Sequence, residues 1–179
     1  MDKMRIKHTQ KEYNERLLMG LFWLMGKPNT MIDMGCGNGA MVDVARGIGI
    51  DAVGIDIVSP QREGFIQADL SQPIDLGMEY DLVLCLEVAE HIPLERAGVF
   101  CQNLARHSRV GGRLIFSAAM PGQDGDGHLN CQPPTYWRSM LWDAGKFSYQ
   151  EEWTSRVKWL ASMTSGAPSH WLPANIQVF

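Results

Sequence analysis

Apolar residues fall into short unbroken runs separated by stripes at three- and four-residue spacing. Tyr13, Leu17, Leu21 and Leu24 form the first stripe, ended by Gly26 and Pro28, and predict an N-terminal helix. The apolar run at 17–25 follows Glu12 and Glu15, lacks a small-residue cleavage site after it, and is far shorter than a membrane span. It reads as helix, with no membrane segment expected. Runs at 31–33, 52–57, 65–68, 81–86 and 113–118 predict five strands, the last after a turn at Gly111 and Gly112. The fourth is apolar almost throughout, as in strands buried on both faces. Met41, Val44, Ala45 and Ile48 make a helical stripe between the first two strands, and Leu94, Ala97, Cys101 and Leu104 make another before the fifth. A further helix opens at Pro133 and Pro134, carries Tyr136, Trp137, Met140, Leu141 and Ala144 on its apolar face, and ends at Gly145. Two late strands are expected near 147–152 and 175–179. Such alternation predicts an α/β domain with a mostly parallel sheet, which binds ligands at the carboxyl ends of its strands.

Two connections are short. Residues 58–64 and 71–80 link the second, third and fourth strands without helical periodicity, where parallel strands usually need about a dozen residues or more. One sheet face is therefore expected to be thinly covered there, with a second copy of the chain as the expected cover.

Composition narrows the chemistry. The chain has 179 residues, enough for one domain, and its 16 Lys+Arg against 20 Asp+Glu give a net charge of −4. That balance disfavours nucleic acid and anionic membranes as partners. Cys36, Cys85, Cys101 and Cys131 show no C-x-x-C spacing, so neither a zinc ribbon nor a redox dithiol is expected. Reduced thiols fit a cytoplasmic protein.

The most specific signal is Asp33-Met34-Gly35-Cys36-Gly37-Asn38-Gly39, between the first strand and the next helix. Alternate glycines let the backbone turn sharply and approach a ligand closely. The spacing is G-x-G-x-G, not the G-x-G-x-x-G of dinucleotide enzymes, which makes a nicotinamide dehydrogenase a poor fit. Asp33 would repel a pyrophosphate but welcome an ammonium, which points to S-adenosylmethionine. Asp56, at the end of the second strand, suits two ribose hydroxyls. Asp69 follows the third strand, where it suits an adenine amino group while the Leu70 N–H meets a ring nitrogen. A lone Asp at a strand end is commonly a turn residue. Three at successive strand ends, with the glycine loop between the first two, form a pattern.

These motifs, with Tyr80-Asp81-Leu82-Val83 and Gly111-Gly112-Arg113-Leu114, resemble those of class I S-adenosylmethionine-dependent methyltransferases from Thr30 onward. The resemblance implies a Rossmann-like α/β fold: a mostly parallel seven-stranded sheet with an antiparallel last strand and helices on both faces. It implies a single domain, with an N-terminal helix at 1–28, a cofactor-binding core at 29–119 and an acceptor-binding part at 120–179. It also implies a cofactor site made of Asp33, Gly35, Cys36, Gly37, Asn38, Gly39, Asp56, Ile57, Asp69, Leu70, Leu86 and Glu87. The abbreviated connections between the second and fourth strands depart from the full family pattern.

The acceptor side is less specific. Glu87-Val88-Ala89-Glu90-His91 follows the fourth strand in place of the Asn/Asp-Pro-Pro-Tyr of many amine methyltransferases, and resembles small-molecule O- and C-methyltransferases. The Gly- and Asp-rich segment 120–133 follows the fifth strand and carries His128, Asn130 and Gln132 at alternate positions. It is expected to form a lid over the acceptor. His128 is the first candidate base and His91 the second, while His8, His107 and His170 are assigned to the surface. No metal is assigned; the alternative is a set of Glu87, Glu90, His91 and His128, which resembles the metal ligands of small-RNA terminal 2′-O-methyltransferases and some ubiquinone-pathway O-methyltransferases. Trp137, Trp142, Trp153, Trp159 and Trp171 crowd the C-terminal part, where core packing is expected for most and an acceptor wall for some. The expected function is methyl transfer to a small molecule, at oxygen. The alternatives are an RNA 2′-O-methyltransferase and a non-catalytic cofactor-binding partner subunit.

Overall fold

The computed structural model describes residues 3–123, 125–164 and 172–179, with side chains from residue 12 onward. His170 and Trp171 lie outside the described residues, as do Asp124 and the side chain of His8. The element order is α1 (Lys3–Met25), β1 (Thr30–Met34), α2 (Ala40–Gly47), β2 (Asp51–Asp56), β3 (Phe65–Gln67), β4 (Tyr80–Leu86), α3 (Ala97–His107), β5 (Ser108–Ser117), α4 (Pro134–Asp143), α5 (Glu151–Met163), α6 (Leu172–Asn175) and β6 (Gln177–Val178). The six strands lie in the order β3-β2-β1-β4-β5-β6. All neighbours are parallel except β6, which runs antiparallel to β5.

Strand side chains alternate between two cores. Met31, Ala52, Leu82, Leu84 and Ile115 face α1, α2 and α5, where Tyr13, Leu17, Leu21, Val42, Ala45, Val157 and Ala161 complete one buried cluster. Ile32, Ile55, Val83, Cys85, Leu114 and Phe116 face α3 and α4, against Phe100, Leu104, Trp137 and Leu141. The chain reverses strand order between β1 and β4, and their carboxyl ends carry Asp33 and Glu87.

The short connections are real and are held by polar groups in place of a helix. From α3, the buried Asn103 side chain donates to the Leu70 and Gln72 carbonyls at 3.0 and 2.8 Å and accepts the Ile74 N–H at 2.9 Å. One turn on, His107 donates from Nδ1 to the Asn103 carbonyl at 2.8 Å and accepts the Leu76 N–H at 3.1 Å. His107 is thus fully buried, not a surface residue; its two nitrogens satisfy groups that a missing crossover helix would have satisfied itself. On β3, Phe65 is covered by the Arg62 guanidinium at 4.2 Å, with Arg46 at 5.5 Å, while Ile57 and Val58 stay exposed.

Four local expectations are corrected. No strand forms at 147–152: Gln150 gives β6 one backbone bond, to the Val178 carbonyl at 2.9 Å, and α5 starts at Glu151. Phe147 and Tyr149 are held by their rings against Phe179, so side-chain packing replaces a ladder. α5 itself is legible afterwards in Trp153, Val157, Leu160 and Ala161, with Glu151 and Glu152 favouring its N-terminus. Gly111 and Gly112 are not a turn before β5 but a break in register within it; a Cβ on Gly112 would lie 2.9–3.1 Å from three backbone oxygens. Among the described C-terminal tryptophans only Trp137 is buried: Trp142 and Trp159 are exposed, and Trp153 lies under Arg113 and Arg156. None of these lines the two cavities described next. No described helix is long and apolar enough to cross a membrane.

Candidate active site

Two cavities of about 490 and 450 Å³ open at the carboxyl ends of the strands and share Gly35 and Glu87. The glycine loop lies between them because β1 ends beside β2, whose Ile55 carbonyl accepts both the Gly35 and Cys36 N–H groups at 2.8 and 2.9 Å. Gly35 has φ +104°, and a Cβ there would fall 2.1 Å from Val88 Cγ2. Only glycine leaves this junction open.

The first cavity is lined by Asp56, Ile57, Asp69, Leu70, Val88, His91, Ile92 and Leu129, among others. Asp56 Oδ2 accepts the Gly37 N–H at 2.8 Å and Oδ1 accepts the Val58 N–H at 3.0 Å. Each oxygen keeps a second lone pair for hydroxyl donors. Asp69 accepts the Ser71 N–H at 2.8 Å, and the Ser71 hydroxyl and N–H hold its carboxyl below the usual range. Asn103, through its grip on the Leu70 carbonyl, fixes this segment from outside the cavity.

The second cavity is walled by Asp33, Cys36, Gly37, Asn38 and Leu86, together with Tyr13 and Asn14 of α1 and Leu172 of α6. Asp33 is buried, and desolvation with the nearby Asp56 charge pushes its carboxyl up to about 7. Burial and the same two acids push the Cys36 thiol up to about 12, which leaves it an inert wall group. Gly39 lines neither cavity: it stands at the start of α2, against Phe65 and Arg62. Tyr13, Asn14 and Leu172 were not foreseen, since Tyr13 and Leu172 read as plain core positions and Asn14 carries no motif.

Glu87 stands at the junction in a left-handed backbone conformation, φ +55°. Its N–H donates to the Ser117 carbonyl and hydroxyl, both at 3.0 Å. Its carboxylate accepts the Asn175 amide at 3.2 and 3.4 Å, and that fully buried amide also donates to Gln123 at 2.9 Å. Strain of this kind marks a position the surroundings over-determine.

Beside the first cavity the chain assembles Glu90, His91 and His128, with one ligand atom from each within 4.8 Å of the others. Segment 120–131 reaches them because the Leu129 and Asn130 N–H groups both donate to the Glu90 carbonyl, at 2.8 and 2.9 Å. His91 donates from Nδ1 to the Gly127 carbonyl and His128 from Nδ1 to the Gln123 carbonyl, each at 3.0 Å. A carbonyl only accepts, so both Nε2 atoms carry lone pairs. The rings meet edge to face, 5.0 Å between centroids. His128 Nε2 lies 4.0 Å from Glu90 Oε1, while Glu90 Oε2 is buried without a partner among the described residues. Burial, and then the Glu87 charge, push the Glu90 carboxyl up. Of the two histidines, His91 lines the cavity and His128 stands beside it. Glu87, from the alternative metal set, turns to Asn175 instead of joining this cluster.

The paired cavities fit one elongated ligand: ribose and base acceptors in the first, a buried acid for an ammonium in the second, and a glycine junction between. The comparisons with known proteins agree. A family profile described as a methyltransferase domain matches residues 6–161. The chain is 28% identical over 100 residues to the ubiquinone biosynthesis O-methyltransferase of Rickettsia conorii, a match covering 49% of this chain and 34% of that protein. It is 32% identical over 123 residues to the ribosomal protein L11 methyltransferase of Cupriavidus pinatubonensis, covering 62% and 40%. These matches span well under two thirds of the curated relatives' length. Among solved structures, the magnesium protoporphyrin IX methyltransferase of Synechocystis PCC 6803 with bound SAM has a TM-score of 0.58 at 26% identity, covering 82% of this chain and 73% of that one. The chain belongs to the S-adenosylmethionine-dependent methyltransferase family, with S-adenosylmethionine as its cofactor.

Proposed function

We propose that the protein methylates a hydroxyl of a small-molecule acceptor, with His91 as the base that meets the acceptor and His128 and Glu90 as its support. One observation carries this reading: two imidazoles held by Nδ1–H bonds to carbonyls, so that both present a basic Nε2 beside a buried carboxyl group. When bound, S-adenosylmethionine supplies an electrophilic methyl carbon open to direct displacement, so alignment of the acceptor accounts for much of the rate. His91 Nε2 takes the hydroxyl proton as the oxygen attacks. His128 and Glu90 lower the cost of the resulting imidazolium. Glu87 borders both cavities and orients the acceptor at their junction. Asp33 holds the ammonium, Asp56 the ribose hydroxyls, and Asp69 with Leu70 the base. The apolar walls at Ile57, Val88, Ile92 and Leu129 suit a largely apolar or aromatic acceptor, and the acidic balance argues against RNA. A radiolabelled-methyl assay over a panel of phenols, amines, sugars and short RNAs tests the reading. Transfer to phenolic or alcoholic oxygen is expected; transfer to amines or RNA alone overturns it.

Asp33 gives this reading a pH signature. Below its value of about 7 the ligand-free group carries a proton, which a bound ammonium must expel. The dissociation constant for S-adenosylhomocysteine should therefore fall as pH rises from 5 towards 7, by up to about tenfold per unit, and level off above. Calorimetry across that range checks it, and Asp33→Asn should flatten the profile.

A second reading has a specific observation in its favour: the unpartnered Glu90 Oε2 and the two Nε2 atoms form a donor set that fits a divalent transition ion. Glu90, His91 and His128 would hold it, and when bound such an ion lowers the pKa of an acceptor hydroxyl. Metal analysis and chelator treatment separate the readings. The base reading expects turnover unchanged by chelator; stoichiometric metal and loss of turnover favour the ion.

A further inference from the structure

The cavity beside Asp33 has an acid for the ammonium of an amino-acid group but no lysine or arginine in its wall for the carboxylate. Backbone donors are scarce as well. In the glycine loop, the N–H groups of Gly35 and Cys36 go to the Ile55 carbonyl, that of Gly37 to Asp56, that of Gly39 to the Cys36 carbonyl and that of Ala40 to Asn38. The loop that shapes the cavity has therefore committed these amides within the fold.

The same wall contains Tyr13, from the helix that precedes the sheet. Tyr13 is 1% exposed, packed in the core that α1 forms with α2 and α5, and its hydroxyl has no hydrogen-bond partner among the described residues. Unpartnered buried hydroxyls are rare because they forgo solvation without compensation. A phenylalanine would fill this place at no such cost, so the hydroxyl calls for a partner that arrives with the ligand. Burial pushes the phenol up to about 12, so it stays a donor throughout the physiological range.

We propose that the Tyr13 hydroxyl donates a hydrogen bond to the α-carboxylate of the bound cofactor, which makes α1 part of the cofactor site. Tyr13 and Asp33 then read opposite ends of one zwitterion. The proposal rests on the reading that the amino-acid end lies beside Asp33. Tyr13 acts as a binding residue, and methyl transfer itself does not pass through it.

The test compares two ligands that share the adenosine thioether and differ in the amino-acid group: S-adenosylhomocysteine, which has it, and 5′-methylthioadenosine, which lacks it. Calorimetry on the full chain is run for the wild type, Tyr13→Phe and Asp33→Asn. A hydrogen bond to a charged group corresponds to about ten- to hundredfold in affinity. Tyr13→Phe should weaken S-adenosylhomocysteine by that factor and leave 5′-methylthioadenosine unchanged. The ligand-free variant should melt at the same temperature as wild type or higher, since it loses an unsatisfied buried hydroxyl; a purely structural tyrosine would give neither ligand selectivity nor a stability gain. If Asp33→Asn discriminates between the ligands and Tyr13→Phe does not, the proposal fails and the cofactor's orientation stands. If neither variant discriminates, the orientation fails and the proposal with it.

Discussion

His91→Ala should lower turnover on a hydroxyl acceptor by about 10²- to 10⁴-fold, the range for losing a positioned general base. S-adenosylhomocysteine affinity should hardly change, because His91 lies at the edge of the first cavity, beyond Asp56 and Asp69. His128→Ala should lower turnover less, since His128 stands beside His91 and Glu90 and outside the cavity wall. The two results order the pair: sequence placed His128 first, and the geometry favours His91. Single-turnover rates with enzyme in excess check both variants. A loss below about tenfold for His91→Ala would leave alignment alone to explain the rate, and the base assignment would fall.

Gly35→Ala should cripple cofactor binding. Alanine at φ +104° carries backbone strain of about 1–3 kcal/mol, on the order of ten- to hundredfold in affinity if the binding geometry absorbs it. The new Cβ also meets Val88 Cγ2 at 2.1 Å, and Val88 lines the first cavity. The methyl group would therefore narrow the junction the ligand must cross. Calorimetry with S-adenosylhomocysteine reads the loss, and a thermal melt shows whether the variant still folds. A variant that folds and binds as tightly as wild type would mean the ligand does not pass Gly35. The same substitution at Gly37, whose Cβ would meet nothing within 4 Å, separates the two contributions, because there only the positive φ of 51° is penalised.

Much of this was legible in one dimension. The five parallel strands, the glycine loop and the three acids at strand ends follow from local patterns: apolar runs mark strands buried on both faces, and spacing from a strand end places a side chain in the crevice. The reversed β6 was expected from family resemblance, and it forms. The strand expected at 147–152 failed because Phe147 and Tyr149 alternate as strand residues do, yet their rings pack on Phe179 and no ladder follows. His107 misled because nothing local marks a histidine as the partner of an amide at Leu76, 31 positions away.

The cofactor class was thus determined locally, by residues a short loop apart and by strand ends that any parallel sheet brings together. The reactive arrangement was not. Tertiary folding brought His128 to Glu90 through two backbone bonds from Leu129 and Asn130, and sent Glu87 to Asn175. Tyr13 reached the second cavity only because α1 packs on α2 and α5. Local pattern reports which face of an element is buried. Which distant group meets it there depends on the packing of whole elements, and in this protein that packing decides how the acceptor's proton and the cofactor's carboxylate are met.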